Sequence, residues 1–188
     1  EVSRETAETA VKLSLELDGS GRAEVHTGVG FLDHMLTLFA CHGGFDLAVS
    51  CKGDLEVDAH HSVEDVGLCL GAAIAQALGK KRGINRYGHI ILPMDEALIL
   101  CAVDLSGRPC LRYTAQLPAQ KVGTFDTELV EEFFLALVRE AAITLHIRLL
   151  AGKNTHHIIE GIFKGVARAL REACEIDPAA AGEIPSTK

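Results

Sequence analysis

The chain has 188 residues, 48% hydrophobic and 23% charged, enough for one large domain or two small ones packed around a common core. Its formal net charge of −8 argues against nucleic acid or an anionic membrane surface as partner, so an anionic ligand must be met locally by a few arginines or lysines. No apolar run approaches the ~18 residues of a membrane span, the polar start "EVSRETAETA" does not read as a secretory signal, and six cysteines without CxxC spacing read as reduced core thiols of a cytoplasmic protein.

In chain order, "LDGSGRAEV" (17–25) reads as a hairpin turn between short alternating strands. "GFLDHMLTLFACHGGFDLAV" (30–49) follows as a helix and then a strand. Asp58 is placed to cap a second helix, in which Val63, Val66, Leu70, Ile74 and Ala77 recur at steps of three and four. A further strand is expected to cross between halves within "GKKRGINRYGHIILP" (79–93).

The pattern then returns. "VDLSGRPCL" (103–111) repeats the turn, with Ser106-Gly107-Arg108 falling on Ser20-Gly21-Arg22, and "FDTELVEEFFLALVREAAITLHI" (125–147) repeats the helix and strand. The residues around "LPAQKVGT" (117–124) are extra to the second half. Asn154 caps the last helix, where Ile159, Ile162, Val166, Leu170 and Ala173 match the apolar positions of the earlier one at 156 − 60 = 96 residues. Each half thus reads strand, turn, strand, helix, strand, helix. The fold class is α+β and internally duplicated: two similar halves, 1–88 and 89–176, each a four-stranded mixed sheet with two helices on one face, packed as one unit with a loose or partner-stabilised tail at 177–188.

Both repeated helices open on a histidine pair, "DAHHSVED" (58–65) and "NTHHIIEG" (154–161). Residues four apart share a helical face, so His60 with Glu64, and His156 with Glu160, can hold one ion each. His61 and His157 are turned about 100° away and must serve something else. Two metals are expected, each taking a His/Glu pair from one helix and a lone histidine from the other. At the helix start the dipole disfavours imidazolium and keeps the rings neutral for coordination. Nitrogen and carboxylate donors without thiolate suit manganese, iron or zinc. At the 98-residue offset of the preceding helix, His34 pairs with Glu132, which would supply a fourth ligand to each ion. His26, His42, His89 and His146 lack this repeat logic and read as structural. Arg86, Arg108, Lys164 and Lys188 are the candidates for a phosphate pocket.

The ordered set "GFLDHML", "DAHHSVED", "INRYG", "PMDEAL", "DLSGRP", "LAGKNTHHIIEGIFKGVARALREA" and "IPSTK" resembles the imidazoleglycerol-phosphate dehydratase family over essentially the whole chain. The resemblance implies two Mn²⁺ per active site and a homo-oligomer of 24 subunits, with sites built from neighbouring chains. It implies one ion held by His34, His61, His156 and Glu160, and the other by His60, Glu64, His157 and residue 132. The family pattern has histidine at that last position; Glu132 adds a negative charge to the site. Substrate would be bound by Glu8, His34, His60, Glu64, Arg86, Arg108, His156, Lys164, Ser186 and Lys188, with Glu8 in "RETAET" facing the reacting carbons.

The implied reaction removes water from D-erythro-imidazole glycerol phosphate to give imidazole acetol phosphate, in histidine biosynthesis. The proton to be lost is not beside a carbonyl, so an imidazolate bound between two metals would expel the hydroxyl, and a carboxylate would then remove the acidified proton. Glu8 is the leading candidate; Asp95 and Glu96 are weaker ones. The alternatives are another dinuclear metallohydrolase, or a non-catalytic assembly protein stapled by metals.

Overall fold

A computed structural model describes residues 1–180 and 183. Among these residues the fold is built on two four-stranded sheets and four α-helices, the two halves sharing one topology. In the first half, β1 (Val2–Glu5), β2 (Thr9–Glu16) and β3 (Ala23–His26) precede helix α1 (Gly30–Gly43), strand β4 (Asp46–Gly53) and helix α2 (His60–Leu78). The second half repeats this with β5 (Tyr87–Met94), β6 (Ala97–Asp104), β7 (Cys110–Thr114), α3 (Leu129–Ala141), β10 (Thr144–Ala151) and α4 (Thr155–Cys174). The extra residues form a small ribbon, β8 (Lys121–Val122) with β9 (Phe125–Asp126).

The sheet orders are β1-β2-β4-β3 and β5-β6-β10-β7, each with two antiparallel pairings and a parallel one at the last strand. Two expectations change, and one strand has no counterpart in the sequence reading. The polar N-terminal segment is itself an edge strand, without the alternation that would reveal it, because three of its four residues are exposed. Its counterpart β5 belongs to the second sheet rather than crossing between halves. Nor do Ser20-Gly21-Arg22 and Ser106-Gly107-Arg108 close hairpins, because β4 and β10 insert between the strands they connect. The first of these turns is held by Asp46 at the start of β4, whose carboxylate accepts from the Ser20 and Arg22 backbone N–H groups at 2.8 and 3.0 Å and from the Arg22 guanidinium at 2.7 Å. That pairing keeps the Asp46 carboxyl well below the usual range.

The matched helix positions are buried as expected, with Val63, Val66, Leu70 and Ile74 on α2 and Ile159, Ile162, Val166 and Leu170 on α4 all at 1% exposure or less. Ala77 departs from the pattern; it is exposed near the end of α2 while Ala173 is buried. Asn154 caps α4, accepting from His157 N–H at 3.2 Å. Asp58 instead stands one residue outside the cap of α2, at Ala59, and accepts from His60 N–H at 2.7 Å. The six cysteines are unbonded, but only Cys69 and Cys101 are buried and Cys41 is exposed. Among the described residues no helix is long and apolar enough to cross a membrane.

The helices pair crosswise: α1 packs on α4 of the other half, and α2 on α3. Small residues let α2 and α3 approach closely. A Cβ at Gly67 would lie 2.7 Å from the Phe133 carbonyl oxygen, and one at Gly71 would overlap the Leu137 carbonyl oxygen and sit 3.0 Å from Ala141 N. In a free helix Gly→Ala gains about 1 kcal/mol. Here the clash is with backbone, which cannot rotate away, so overpacking decides the sign. Gly71→Ala is expected to destabilise the protein by about 1–3 kcal/mol, measured by denaturant unfolding; a gain in stability would show that α2 and α3 are further apart.

Candidate metal centre

The crosswise packing brings the N-terminal two turns of α1 to those of α4. There His34, His156 and Glu160 place one ligand atom each within 4.8 Å of one another. His156 Nε2 is 3.2 Å and His34 Nε2 3.8 Å from Glu160 Oε2. The other carboxylate oxygen, Oε1, accepts from Lys164 Nζ at 2.5 Å, one turn further along α4. Burial works against the Glu160 charge, but Lys164 and then His156 outweigh it and the pKa falls below the ordinary value. Phe31 stacks edge-on to His156 with ring centres 5.3 Å apart, and Phe31 in turn packs on Phe125 of β9. Two imidazoles and a carboxylate, half-open to solvent and without thiolate, can hold a divalent cation.

On α2, His60 Nε2 lies 3.9 Å from Glu64 Oε2. Glu64 and Glu132 line one cavity of about 350 Å³ between α2, α3 and the start of β7, together with Arg139, whose guanidinium is 3.9 Å from Glu64 Oε1. Among the described residues only His34, His156 and Glu160 converge as a ligand group, but Glu160 and Glu64 are held on one plan. In each, one carboxylate oxygen faces a histidine four residues earlier and the other faces a cation, Lys164 in one and Arg139 in the other.

His61 and His157 do not join these groups within the chain, so the two helix starts do not exchange lone histidines inside one protomer. His61 Nδ1 is 2.9 Å from Asp54 Oδ2, and its Nε2 is 3.7 Å from Glu8 Oε1. His157 matches it, with Nδ1 2.8 Å from Glu96 Oε2 and Nε2 3.7 Å from Asp95 Oδ2. With Nδ1–H donated to a carboxylate, Nε2 is the nitrogen left for coordination. The carboxylates also reverse the expected influence of the helix dipole: Asp54 raises the His61 pKa and Glu96 raises that of His157. Glu96 itself is held down to about 2 by His157 and by the Asn154 and Lys153 N–H groups.

The basic candidates are dispersed. Arg86 is paired with Asp104, Nε to Oδ1 at 2.7 Å, and lies 4.9 Å from the Tyr87 ring centre. Arg108 is exposed in the β6–β7 turn. Ser186 and Lys188 lie outside the described residues. His26, His89 and His146 are exposed on strands; His42 is half-buried at the end of α1, where burial, Lys164 and Arg168 lower its pKa. Neither the helical period nor the repeat exposes Asp54, which belongs to the loop after β4. Glu96 does have a signal, because it shares the hairpin-turn position of Glu8 in the other half.

Comparison with known proteins agrees with this architecture. The family model described as imidazoleglycerol-phosphate dehydratase matches residues 27–170. The chain is 58% identical to the imidazoleglycerol-phosphate dehydratase of Methylorubrum extorquens over 187 residues, spanning 100% of this chain and 96% of the relative. It is 59% identical to that of Azorhizobium caulinodans, over 100% of this chain and 95% of the relative. The crystal structure of the Staphylococcus aureus enzyme superposes with a TM-score of 0.83 at 44% identity, covering 93% of this chain and 98% of that one. That of the Pyrococcus furiosus protein, in complex with (S)-C348, gives 0.85 at 35% identity, over 99% of this chain and 98% of that one. Sequence likeness over the full length and the shared fold agree: this chain belongs to the imidazoleglycerol-phosphate dehydratase family.

Proposed function

We propose that the chain is a hydro-lyase of histidine biosynthesis, dehydrating D-erythro-imidazole glycerol phosphate to imidazole acetol phosphate. The observation that carries this reading is the convergence of His34, His156 and Glu160 at one point in a chain of this family. Those residues would hold one Mn²⁺, and His60, Glu64 and Glu132 the other. His61 and His157 are turned toward other carboxylates in their own chain. Each set is therefore proposed to be completed by an imidazole from a neighbouring subunit, in a homo-oligomer of 24. When bound, the two ions supply Lewis acidity that favours the deprotonated substrate ring.

The chain's own groups do the rest. Glu8 lies beside His61 Nε2, so a centre that recruits His61 also receives this carboxylate. Glu8 takes the proton from the carbon next to the one that loses its hydroxyl, and the hydroxyl departs as water with one proton. Net H and OH are lost, Glu8 is returned to its carboxylate, and the resulting enol relaxes to the ketone. Lys164 holds Glu160 in its charged form and, with Arg86, Arg108, Ser186 and Lys188, is assigned to substrate binding.

Incubating the protein with Mn²⁺ and imidazole glycerol phosphate is expected to yield an enolisable ketone, and its absence would overturn the assignment. Glu8→Gln is expected to lower kcat by about 10²- to 10⁴-fold with metal content unchanged; near-normal turnover would remove Glu8 from the mechanism. Asp54→Asn frees the His61 ring from its orienting carboxylate and is expected to weaken Mn²⁺ binding about 10- to 100-fold in equilibrium dialysis. Unchanged affinity would mean that Asp54 does not orient a ligand.

A further inference from the structure

His61 and Asp65 stand four residues apart on α2, so they share a face. His61 meets the Glu8 carboxylate, while Asp65 is buried beneath the hairpin that carries Glu8. The Asp65 side chain is only 10% exposed. Its Oδ1 accepts from Arg4 Nε at 2.8 Å and its Oδ2 accepts from the Thr9 hydroxyl. Arg4 and Thr9 lie on the two strands, β1 and β2, that the turn joins. Inside the turn, the Thr6 hydroxyl accepts from Thr9 N–H at 3.0 Å and from Glu8 N–H at 3.2 Å, and Thr6 N–H donates to the Thr9 carbonyl at 2.9 Å. A continuous run of hydrogen bonds thus leads from the helix carboxylate to the backbone of Glu8.

The other half shows that the fold itself does not need this arrangement. The position equivalent to Asp65, 96 residues on, is Gly161, where α4 rests directly on Ile99 and Met94. A buried carboxylate with two dedicated donors is seldom worth more to stability than apolar packing. The second half achieves the same packing without such a carboxylate, so the fold does not require Asp65. The two turns also differ in how their acids are used. In the second half, Glu96 is committed to His157 and to the N–H groups of Lys153 and Asn154. In the first half Asp54, from outside the hairpin, holds the ring, and Glu8 is spared that task.

We infer that Asp65, acting through Thr9 and Arg4, is a positioning residue that fixes the Glu8 carboxylate relative to the substrate carbons. The inference rests on the acid/base reading of Glu8. The hydroxyl of Thr9 is the narrowest point at which to break it. Thr9→Val keeps the β-branched strand residue and removes the bond to Asp65, whereas Thr9→Ser restores it. In the Mn²⁺-loaded protein, Thr9→Val is expected to lower kcat about 10- to 100-fold, the loss that follows from displacing a catalytic group by about 1 Å. KM and metal content should change little, and amide exchange at residues 6–9 should accelerate. Thr9→Ser should return both readouts to the parent values. Unchanged exchange and unchanged kcat in Thr9→Val would overturn the clamp, as would a Thr9→Ser variant as impaired as Thr9→Val. Faster exchange with unchanged kcat, in a protein whose turnover Glu8→Gln abolishes, would reduce the clamp to a structural one and overturn the positioning role; near-normal turnover in Glu8→Gln would instead sink the reading on which it rests. If Thr9→Val does not fold, Arg4→Gln breaks the other, more exposed bond and is read by the same two measurements.

Discussion

The structure depends on the crosswise pairing of its helices. A half with two helices on one sheet face cannot cover them by itself, so α1 is buried against α4 and α2 against α3. Each candidate metal centre consequently draws on both halves. His34 of the first meets His156 and Glu160 of the second; Glu64 of the first shares a cavity with Glu132 of the second. The ligand geometry is thus a by-product of the core packing. The glycines that let α2 approach α3 set the width of the cavity lined by Glu64 and Glu132 as much as they set the spacing of the core.

Placing carboxylates in such a packed setting has an electrostatic cost, and the chain answers it one group at a time. Glu160, 8% exposed, has Lys164, and Asp65, 7% exposed, has Arg4. Each cation is close in space but contributed differently: Lys164 from the same helix one turn later, Arg4 from a strand. The net charge of −8 therefore says little about the interior. What matters is that each buried anion has a donor within hydrogen-bond reach.

How much of this was legible in the sequence follows from the physics of each part. The helix repeat was visible because burial imposes its period on both copies, and the offset of 98 between His34 and Glu132 recurs in the left-handed residues ending α1 and α3, Gly44 and Ala142. Strand β1 left no mark because an exposed edge strand needs no alternation. The Ser-Gly-Arg turns were legible as turns but not as connections over an inserted strand, since pairing order depends on long-range contacts. The split between His60 and His61 follows from helical geometry alone, but the partner of His61 does not. Asp54 lies in a loop, and only the folded chain brings it to the ring.

Duplication explains why two helix starts resemble each other, but the reaction is not symmetric, so something must distinguish the halves. The metal-capable helix starts have stayed alike, while the turns beside them have diverged in what holds them. Glu96 locks one turn to the start of its helix. The other turn is held from below by Asp65, which leaves a carboxylate at its tip beside His61. Carboxylate against glycine on one helix face, with Arg4 and Thr9 to meet it and Asp54 to hold the His61 ring, distinguishes the turn that leaves an acid free from the one that does not. On the proposed role of Glu8, the asymmetry lies in one hairpin and the buried helix position beneath it, while the apolar positions that both halves repeat are kept.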